Sequence, residues 1–515
     1  MSVTEEDWDD EDDTDGDDLE IQYLDGDDDD DDDGDFMEFS PAEAKSKVDG
    51  WMRELQQLAR SSSRDKQAVD KAQDILNEMF ELYVQSEDST FFPTTQVYNY
   101  ILEAYAYSKD PKGADEAMAL LEKMHDLDNV YIARPNVESY LNVMDAFAMR
   151  DNPEKVQQLI SQQEQYATSS NSDDLTVTAE AYNKLIKAYG IAGQIEQAEA
   201  TFRSLVTDNT ANQKSWVQIM KAYQSHDDLV SVESLLEEMI ATYESTGNKD
   251  FQPQIEAYNV WIRSMGMANR PDKAEAKLYE LMNRCRQGDS TCQPNADTFR
   301  NVIFAYNQDR KQQHSAATVS KLDQLLQIQE SFLNLRNPET PWSPDEQLYN
   351  AVIGMVARSK DPQKATRIQK IMDRFQKSTQ PSDSILRRMY FSQLSACAHV
   401  TKDATPEDKL AAFQIASQIW NMLKSDTSPG LSMDSSMAGM FLMACRTLLP
   451  KSEKRDKLVH TVFDECCQRG IVNDFVLNEL DGVTDEATQL QWFGGFIEDG
   501  VRMKKEWRRN VVEKR

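Results

Sequence analysis

The chain has 515 residues and a formal net charge of −35 at pH 7. This length exceeds the roughly 250–300 residues over which a single hydrophobic core keeps growing, so we expect several domains or a repeat array. The charge is unevenly placed, because residues 1–40 hold 22 Asp or Glu and no Lys or Arg. The remainder is mildly acidic, which argues against duplex nucleic acid as a partner, since that partner calls for a basic surface.

Other broad classes are also disfavoured. No apolar run approaches the ~18 residues of a transmembrane helix, so no membrane partner is expected. The acidic N-terminus is unlike a secretory or organelle-import leader. The sequence therefore predicts a protein that stays in the cytoplasm or nucleus, or one whose leader precedes this start. Six cysteines without a C-x-x-C pair indicate a reducing compartment.

Residues 1–40 are predicted to form a disordered acidic tail, because like charges repel and little apolar surface is available for burial. Two apolar islands interrupt it, at residues 21–24 and 36–39. They are either docking motifs, or strand mimics that compete for a basic groove, or incidental hydrophobic residues in a solvating tail.

Helical pairs follow the tail in chain order. Residues 41–60 and 66–85 form the first pair, and Pro41 after Ser40 suits a helix start. From residue 91 the pairs become regular, and each first helix opens with an aromatic residue. These aromatics are Tyr98, Tyr140, Tyr182, Trp216, Tyr258, Phe299 and Tyr349. The shortest interval, from Tyr182 to Trp216, is close to the ~34 residues of a minimal helix-turn-helix repeat.

The segment 181–206 shows one such unit clearly. Apolar residues recur at three- and four-residue spacing on two helices, and Gly190 and Gly193 are predicted to end the first. A hairpin of this size cannot bury its apolar face alone, so it requires similar neighbours. No segment alternates with period two, so we expect an all-α solenoid of roughly nine or ten helical hairpins.

Three marks recur in several hairpins: Tyr-Asn-x-x-Ile or Leu in the first helix, Ala-x-x-Leu-x-x-Met in the second, and Pro-Asn or Pro-Asp before the next. In combination they resemble pentatricopeptide repeats. The resemblance implies a right-handed superhelix that binds single-stranded RNA, in mitochondria or plastids. It covers repeats at 91–378 and degenerate repeats at 379–470. Outside it we expect a helical N-terminal cap at 41–90 and a C-terminal helical cap with a basic end at 471–515.

Members of this family read about one base per repeat with two or three side chains. By resemblance, one reading position follows the opening aromatic, and the other precedes the next first helix. The first position holds Asn99, Leu141, Asn183, Val217, Asn259, Arg300 and Asn350. The second holds Asn136, Thr178, Asn212, Gln254, Asn295 and Asp345.

Three repeats therefore carry an Asn at both positions, which in the family favours pyrimidines. Two Asn amides offer the donors and acceptors that can bracket a base edge. The alternative is that these residues cap or orient helix starts, where Asn is favoured, above all at Asn136, Asn212 and Asn295. Leu141 and Val217 cannot hydrogen-bond to a base, so their repeats are not expected to discriminate.

Charge also varies along the array. Residues 301–400 contain 13 basic against 9 acidic residues, whereas residues 91–300 have a net charge of −12. Phosphates are therefore expected mainly in the C-terminal half, with Lys364, Arg367, Lys370 and Arg374 as candidate contacts. The alternative is that these side chains form solvated helix faces. The basic C-terminus with Trp507 is either a further phosphate contact or an amphipathic cap.

No catalytic, cofactor or metal pattern is recognisable. The five histidines are scattered, and Cys285 and Cys292 would need two further ligands to hold a metal. The sequence predicts a non-catalytic protein that binds single-stranded RNA in organellar RNA processing, stability or translation, with the acidic tail competing for the basic segment. The alternative is a scaffold that grips a peptide or partner helix without RNA.

Overall fold

The computed structural model describes residues 39–60, 66–126, 133–170, 175–308, 315–336, 345–425, 430–493, 495–497 and 505–511. Almost all of the predicted disordered tail, with its first apolar island, lies outside these residues. Phe39 of the second island is described, and its ring packs edge to face on Phe91, 5.0 Å between centroids. Ser40 and Glu43 form a capping box that starts the first helix at Pro41, as predicted.

The described residues form twenty-two α-helices and no strand. The helices are α1 (Pro41–Arg60), α2 (Lys66–Ser86), α3 (Thr95–Tyr107), α4 (Gly113–Asp126), α5 (Val137–Ala148), α6 (Pro153–Ser170), α7 (Ala179–Ile191), α8 (Ile195–Thr207), α9 (Gln213–Ser225), α10 (Leu229–Thr246), α11 (Ile255–Met267), α12 (Pro271–Arg286), α13 (Ala296–Gln308), α14 (Ala316–Arg336), α15 (Glu346–Arg358), α16 (Lys364–Ser378), α17 (Asp383–Ala398), α18 (Pro406–Ser425), α19 (Ser435–Leu448), α20 (Glu453–Arg469), α21 (Asp474–Val483) and α22 (Glu486–Phe493). No helix in this part of the chain has the length and apolar character to cross a bilayer.

The helices stack in two layers. Each odd-numbered helix, from α1 to α19, packs against the even-numbered helix that follows it. Each also packs against the next odd-numbered helix, as far as α21. We call the odd-numbered members first helices and the even-numbered members second helices. The result is ten hairpins closed by α21 and α22, which confirms the predicted all-α solenoid.

Six of the seven opening aromatics are buried in the core of this stack, and Tyr182 is half-buried at its edge. Trp216, Tyr98, Tyr140, Tyr258 and Tyr349 are among the largest side chains that are almost wholly buried. Burial of one such side chain contributes about 1.5–3 kcal/mol of hydrophobic free energy. The apolar face of the second helices meets them, as the edge-to-face contact of Phe202 with Trp216 shows, 4.8 Å between centroids. The recurring aromatic is thus the structural anchor of the repeat.

Gly190 and Gly193 have different roles. Gly193 has φ +79°, the left-handed conformation that a turn after a helix requires. Gly190 lies inside α7, which continues to Ile191, so the prediction that it ends the helix is wrong. A Cβ at Gly190 would lie 2.7 Å from Cβ of Ala222, so the glycine instead lets α7 and α9 approach closely.

The described part of the C-terminus covers the last hairpin. The ring of Trp507 packs on Phe463, 5.6 Å between centroids, and the Trp507 carbonyl accepts a hydrogen bond from the Val472 amide at 2.8 Å. Arg509 donates to the carbonyl of Gln468. These contacts are those of the amphipathic cap that the sequence left as one of two alternatives.

Candidate nucleic-acid interface

The stacking of first helices brings the two candidate reading positions together. One is the fifth residue of a first helix, and the other is the residue that precedes the next first helix. We call these two residues a seam pair. In three hairpins the Nδ2 group of the first Asn donates to Oδ1 of the second, each time at 3.2 Å: Asn99 to Asn136, Asn183 to Asn212, and Asn259 to Asn295.

The helix cap sets the orientation of these amides. Oδ1 of Asn212 accepts a hydrogen bond from the Ser215 backbone amide at 3.1 Å, and the Asn212 backbone amide donates in return to the Ser215 hydroxyl, which completes a capping box. Asn183 must then turn its Nδ2 donor toward that oxygen, because two carbonyl groups would repel. Consequently Oδ1 of Asn183 and Nδ2 of Asn212 remain as one acceptor and one donor beside each other.

The three asparagine seam pairs differ in how many of the hydrogen-bonding groups of the first Asn amide have a partner. Asn99 is 1% exposed, and its Nδ2 group also donates to Glu138 at 3.1 Å. Its Oδ1 accepts from the Ser139 hydroxyl at 2.6 Å, so the amide is saturated by protein partners. In contrast, Oδ1 of Asn183 and Oδ1 of Asn259 are buried without a hydrogen-bond partner among the described residues. A buried acceptor of this kind costs about 1–3 kcal/mol unless a ligand satisfies it.

The remaining seam pairs lack a bond between two asparagines. Leu141 and Thr178 occupy the two positions in one hairpin, and Val217 and the exposed Gln254, which makes no side-chain cap, occupy them in another. Arg300 forms an ion pair with Asp345, with its Nε 3.1 Å from a carboxylate oxygen. Asn350 is half-buried, and the Ser382 hydroxyl at its partner position bonds to Glu346 instead.

Sequence reasoning missed one seam pair. Arg387 is the fifth residue of α17, and it forms an ion pair with Asp434, which caps α19. The fifth-residue spacing would have identified it once the start of α17 was known. The blurred repeat pattern after residue 378 concealed that start, because no aromatic precedes Arg387.

A groove runs beside Asn183 on the face of the first helices. It has a volume of 520 Å³, and its lining includes residues of four successive first helices, α3, α5, α7 and α9. Four lysines line it: Lys184, Lys187, Lys214 and Lys221. Asp145 pairs with the first two and Glu180 with Lys214, so the lysine groove keeps a net positive charge.

A second basic groove of 840 Å³ lies beside Asn350. Arg358, Arg387 and Arg388 line it, together with Phe391. Arg358 and Arg388 are exposed, whereas Arg387 is engaged with Asp434. These arginines are the part of the basic stretch 301–400 that reaches the first-helix face.

The four candidate phosphate contacts lie elsewhere, on the second helix α16. Lys364 is 4% exposed and donates to the Ser359 carbonyl at 3.2 Å, and burial lowers the pKa of its ammonium group. Arg367 pairs with Asp361, and Arg374 pairs with Asp323 at 2.6 Å. Lys370 is exposed to solvent. Phosphate contact by these residues stays a prediction, and the geometry separates them from the seam pairs.

Cys285 and Cys292 flank a structured loop. Both are buried, and the Cys292 thiol donates to Asp289 at 3.4 Å. Burial raises the pKa of Cys292 to about 11, which keeps it a thiol at neutral pH. Within the described ranges no three His, Cys, Asp or Glu side chains are grouped as metal ligands would be.

The fold and its seam pairs define a solenoid of helical hairpins in which several first helices, among them α3, α7 and α11, carry an asparagine at the fifth position. The family model described as PPR repeat matches residues 180–209, which span most of α7, all of α8 and the turn that follows. The chain therefore contains a pentatricopeptide repeat, and the resemblance inferred from the sequence motifs is confirmed. The matched hairpin is the one that holds Asn183.

The solved structures to which this chain is similar include two of the pentatricopeptide repeat protein PPR10. The crystal structure of PPR10 from maize is 14% identical, with a TM-score of 0.37 over 90% of this chain and 55% of that one. The structure of PPR10 in complex with an 18-nt psaJ RNA element is 16% identical, with a TM-score of 0.44 over 90% of this chain and 67% of that chain. This chain thus spans about half the length of the first. No curated protein sequence matches it.

Proposed function

We propose that this protein binds single-stranded RNA along its first-helix face, with a preference for pyrimidines, and that it acts on a transcript without catalysing a reaction. Two seam pairs carry this proposal: Asn183 with Asn212, and Asn259 with Asn295. We call them open, because Oδ1 of the first Asn in each has no hydrogen-bond partner among the described residues. Each therefore holds this buried acceptor beside an amide donor. Such an arrangement suits the edge of an unstacked base, the form in which proteins read RNA sequence.

The lysine groove supplies the second requirement, which is attraction to phosphate. Lys214 and Lys221 are exposed, and both line the groove next to Asn183. Neutralising the phosphates of a single strand releases counterions, so these lysines favour binding at low salt. Base contacts select the sequence, whereas the lysines hold the strand against the first helices.

Binding of this kind would shield or remodel the RNA, or recruit a partner to it. By family resemblance the RNA is an organellar transcript, and the protein acts in its processing, stability or translation. Fractionation of cells that express the full-length protein tests the compartment independently of RNA binding.

The test of base reading is the double variant Asn183→Ala with Asn259→Ala. We expect it to bind pyrimidine-rich oligonucleotides at least about tenfold more weakly, because each lost amide removes a base-edge contact of about 1–3 kcal/mol. Binding to purine-rich oligonucleotides should fall much less. Gel shifts at one stated salt concentration measure both.

Asn473→Ala is the matched control. Asn473 caps α21 through the Val476 amide at 3.0 Å, but the fifth residue of α19 is Gly439, so no asparagine seam pair forms there. It should lose cap stability and keep RNA binding. Equal losses on both oligonucleotides in the double variant would contradict base reading. Purified protein with a clean 260/280 ratio and no gel shift on a random RNA pool would favour the protein scaffold instead.

A further inference from the structure

The lysine groove has an apolar edge that the proposed RNA contacts do not use. Tyr107 and Ile191 are the last residues of α3 and α7, and both line the groove. Met149 follows α5, which the stacking order places between them. Tyr107, Met149 and Ile191 are 40%, 39% and 43% exposed and recur at intervals of 42 residues. We call these three side chains the apolar row.

The apolar row and the lysines occupy the same part of the array. Beyond α7 the first helices end differently: α9 in Ser225, α13 in Gln308 and α15 in Arg358. Met267, at the end of α11, is half-buried. Four lysines and two carboxylates line the groove, so two positive charges remain. This combination fits a segment that carries acidic and apolar side chains together.

Residues 17–25 of this chain are such a segment. Their sequence is DDLEIQYLD, in which four apolar residues lie among four carboxylates. Elsewhere in residues 2–35 the only large apolar side chains are Val3 and Trp8. The other apolar island of the tail already contacts the solenoid, because Phe39 packs on Phe91 in the N-terminal cap. Contact of the first island with the solenoid would repeat this behaviour.

The length of the connecting chain allows residues 17–25 to reach the groove. Phe39 lies beside Phe91, shortly before α3 begins, and α3 covers about 20 Å from its start to Tyr107. Each further first helix adds about 8–10 Å. Residues 26–38 can cover at most about 45 Å, which is enough to reach α9, three first helices from α3.

The second basic groove is a less suitable site for the same segment. It begins at α15, six first helices from α3, which is about 50–60 Å along the stack. The lysine groove lies within the span of the connecting chain, and a linker of this length holds the segment there at a millimolar effective concentration. Weak ionic and apolar contacts are then sufficient for docking.

We propose that residues 17–25 dock in the lysine groove, with their carboxylates on Lys214 and Lys221 and their apolar side chains on the apolar row. The sequence placed competition by the tail at residues 301–400, but Arg367 and Arg374 of that stretch are paired within the fold. A strand of RNA must displace the docked segment from the groove. This consequence rests on the proposed function, whereas the docking does not.

Cross-linking within the full-length protein tests the docking. Tyr23→benzoylphenylalanine should attach on irradiation to residues of α3, α5, α7 and α9 at the groove, and mass spectrometry identifies them. The yield should fall as salt rises from about 0.05 M to about 0.5 M, because screening weakens exposed ion pairs. Lys214→Ala with Lys221→Ala should lower it at least about threefold. Lys370→Ala with Lys377→Ala on α16 is the charge-matched control and should leave it unchanged.

Other cross-linking patterns would overturn the docking. Attachment to second helices, to α15 and α17 at the second basic groove, or to no single surface would each do so. Attachment to a second copy of the chain would also overturn it, and a mixture of isotopically labelled and unlabelled protein detects that case.

Ile21→Ser with Tyr23→Ser tests the consequence for RNA, because it keeps every charge of the tail. The apparent affinity for RNA scales with the fraction of molecules whose groove is unoccupied, so single-stranded RNA should bind at least about threefold more tightly at low salt. Val3→Ser with Trp8→Ser is the matched control and should bind as the parent does. Equal affinities would overturn a shared groove. No gel shift with any of these proteins, while the cross-link forms, would refute the proposed RNA binding and leave the docking intact.

Discussion

The amide of Asn212 has two ends with different surroundings. Its Oδ1 caps α9 through the Ser215 amide and also accepts from Asn183, whereas its Nδ2 group takes no part in these bonds. The sequence alone left two alternative roles for Asn212, helix capping and base reading. The geometry allows both, because the cap uses the oxygen and leaves the nitrogen.

This division predicts the outcome of replacing Asn212. Asn212→Ser keeps a side-chain oxygen that caps nearly as well, so the free energy of unfolding should change by less than about 0.5 kcal/mol. It removes the Nδ2 donor, and binding to the preferred RNA should weaken by about tenfold. Asn212→Ala should lose the cap as well, at a cost of about 1 kcal/mol. Full RNA binding by Asn212→Ser would contradict the reading role.

Asp289 is a second residue whose role becomes clear only at close range. Hydrogen bonds from Thr291 and the ion pair with Arg284 at 2.8 Å hold the pKa of Asp289 well below its usual range. A carboxyl with a lowered folded-state pKa stabilises the fold above its unfolded pKa of about 4, and this contribution is lost as pH falls. The loop between α12 and α13 therefore depends on this charge.

Asp289→Asn tests that dependence. At pH 7 the variant should lose on the order of 1–2 kcal/mol of unfolding free energy, and the difference from the parent should shrink as pH falls below about 4. Denaturant unfolding at several pH values measures it. A loss that is the same at pH 7 and at pH 3 would indicate a purely steric effect.

At the scale of helices, close approach matters more than intrinsic propensity. Alanine is favoured over glycine in a helix by about 0.8–1.0 kcal/mol, yet α7 and α11 keep glycine where they meet the next first helix. Contact with Ala222 and Ala305 explains this choice. The same contacts place Asn183 and Asn259 next to the caps of α9 and α13.

Gly190→Ala should therefore destabilise the protein. Overpacking against Ala222 costs about 1–3 kcal/mol, which outweighs the gain in propensity and leaves a net loss of about 1 kcal/mol. Gly50→Ala is the control, since Gly50 lies within α1 with no heavy atom near the added Cβ, and it should gain stability. Thermal unfolding of both compares them, and a Gly190→Ala variant as stable as Gly50→Ala would refute the packing argument.

Across the whole molecule, charge separates by layer. In the first half of the array, second helices α4, α6, α8 and α10 contain 12 acidic and 3 basic residues. First helices α3, α5, α7 and α9 contain 4 of each, and all four basic residues line the lysine groove. The acidic net charge of residues 91–300 thus lies mainly on the second-helix layer, away from the proposed strand.

This layering predicts which lysines matter for RNA. Lys214→Ala with Lys221→Ala should weaken binding to all single strands alike. It should also reduce the slope of log K against log salt by about 1.4, since each lost phosphate contact of a single strand contributes about 0.7. Lys370→Ala with Lys377→Ala on α16 is the charge-matched control and should change neither. The reverse result would place the phosphates on α16, as the sequence alone suggested.

The sequence by itself determined the helices and their repeat. An aromatic near the start of most first helices and an apolar stripe on the second helices recur at helical spacing. These patterns are local, so they can be read from the chain. It also located the asparagines at the fifth position. It misassigned Gly190, because a glycine that permits helix contact looks the same in sequence as one that ends a helix.

Only the tertiary structure decided which asparagines remain open and where the positive charge lies. Ser139 of the next hairpin satisfies Oδ1 of Asn99, and Glu138 takes a hydrogen of its Nδ2 group. Asp345 and Asp434 neutralise arginines that are 45 and 47 residues away in the chain. Whether a lysine faces the groove depends on which layer its helix joins. These properties arise from contacts between hairpins, so the sequence does not show them. In particular, a net charge summed along the chain adds first and second helices together, although they lie in different layers.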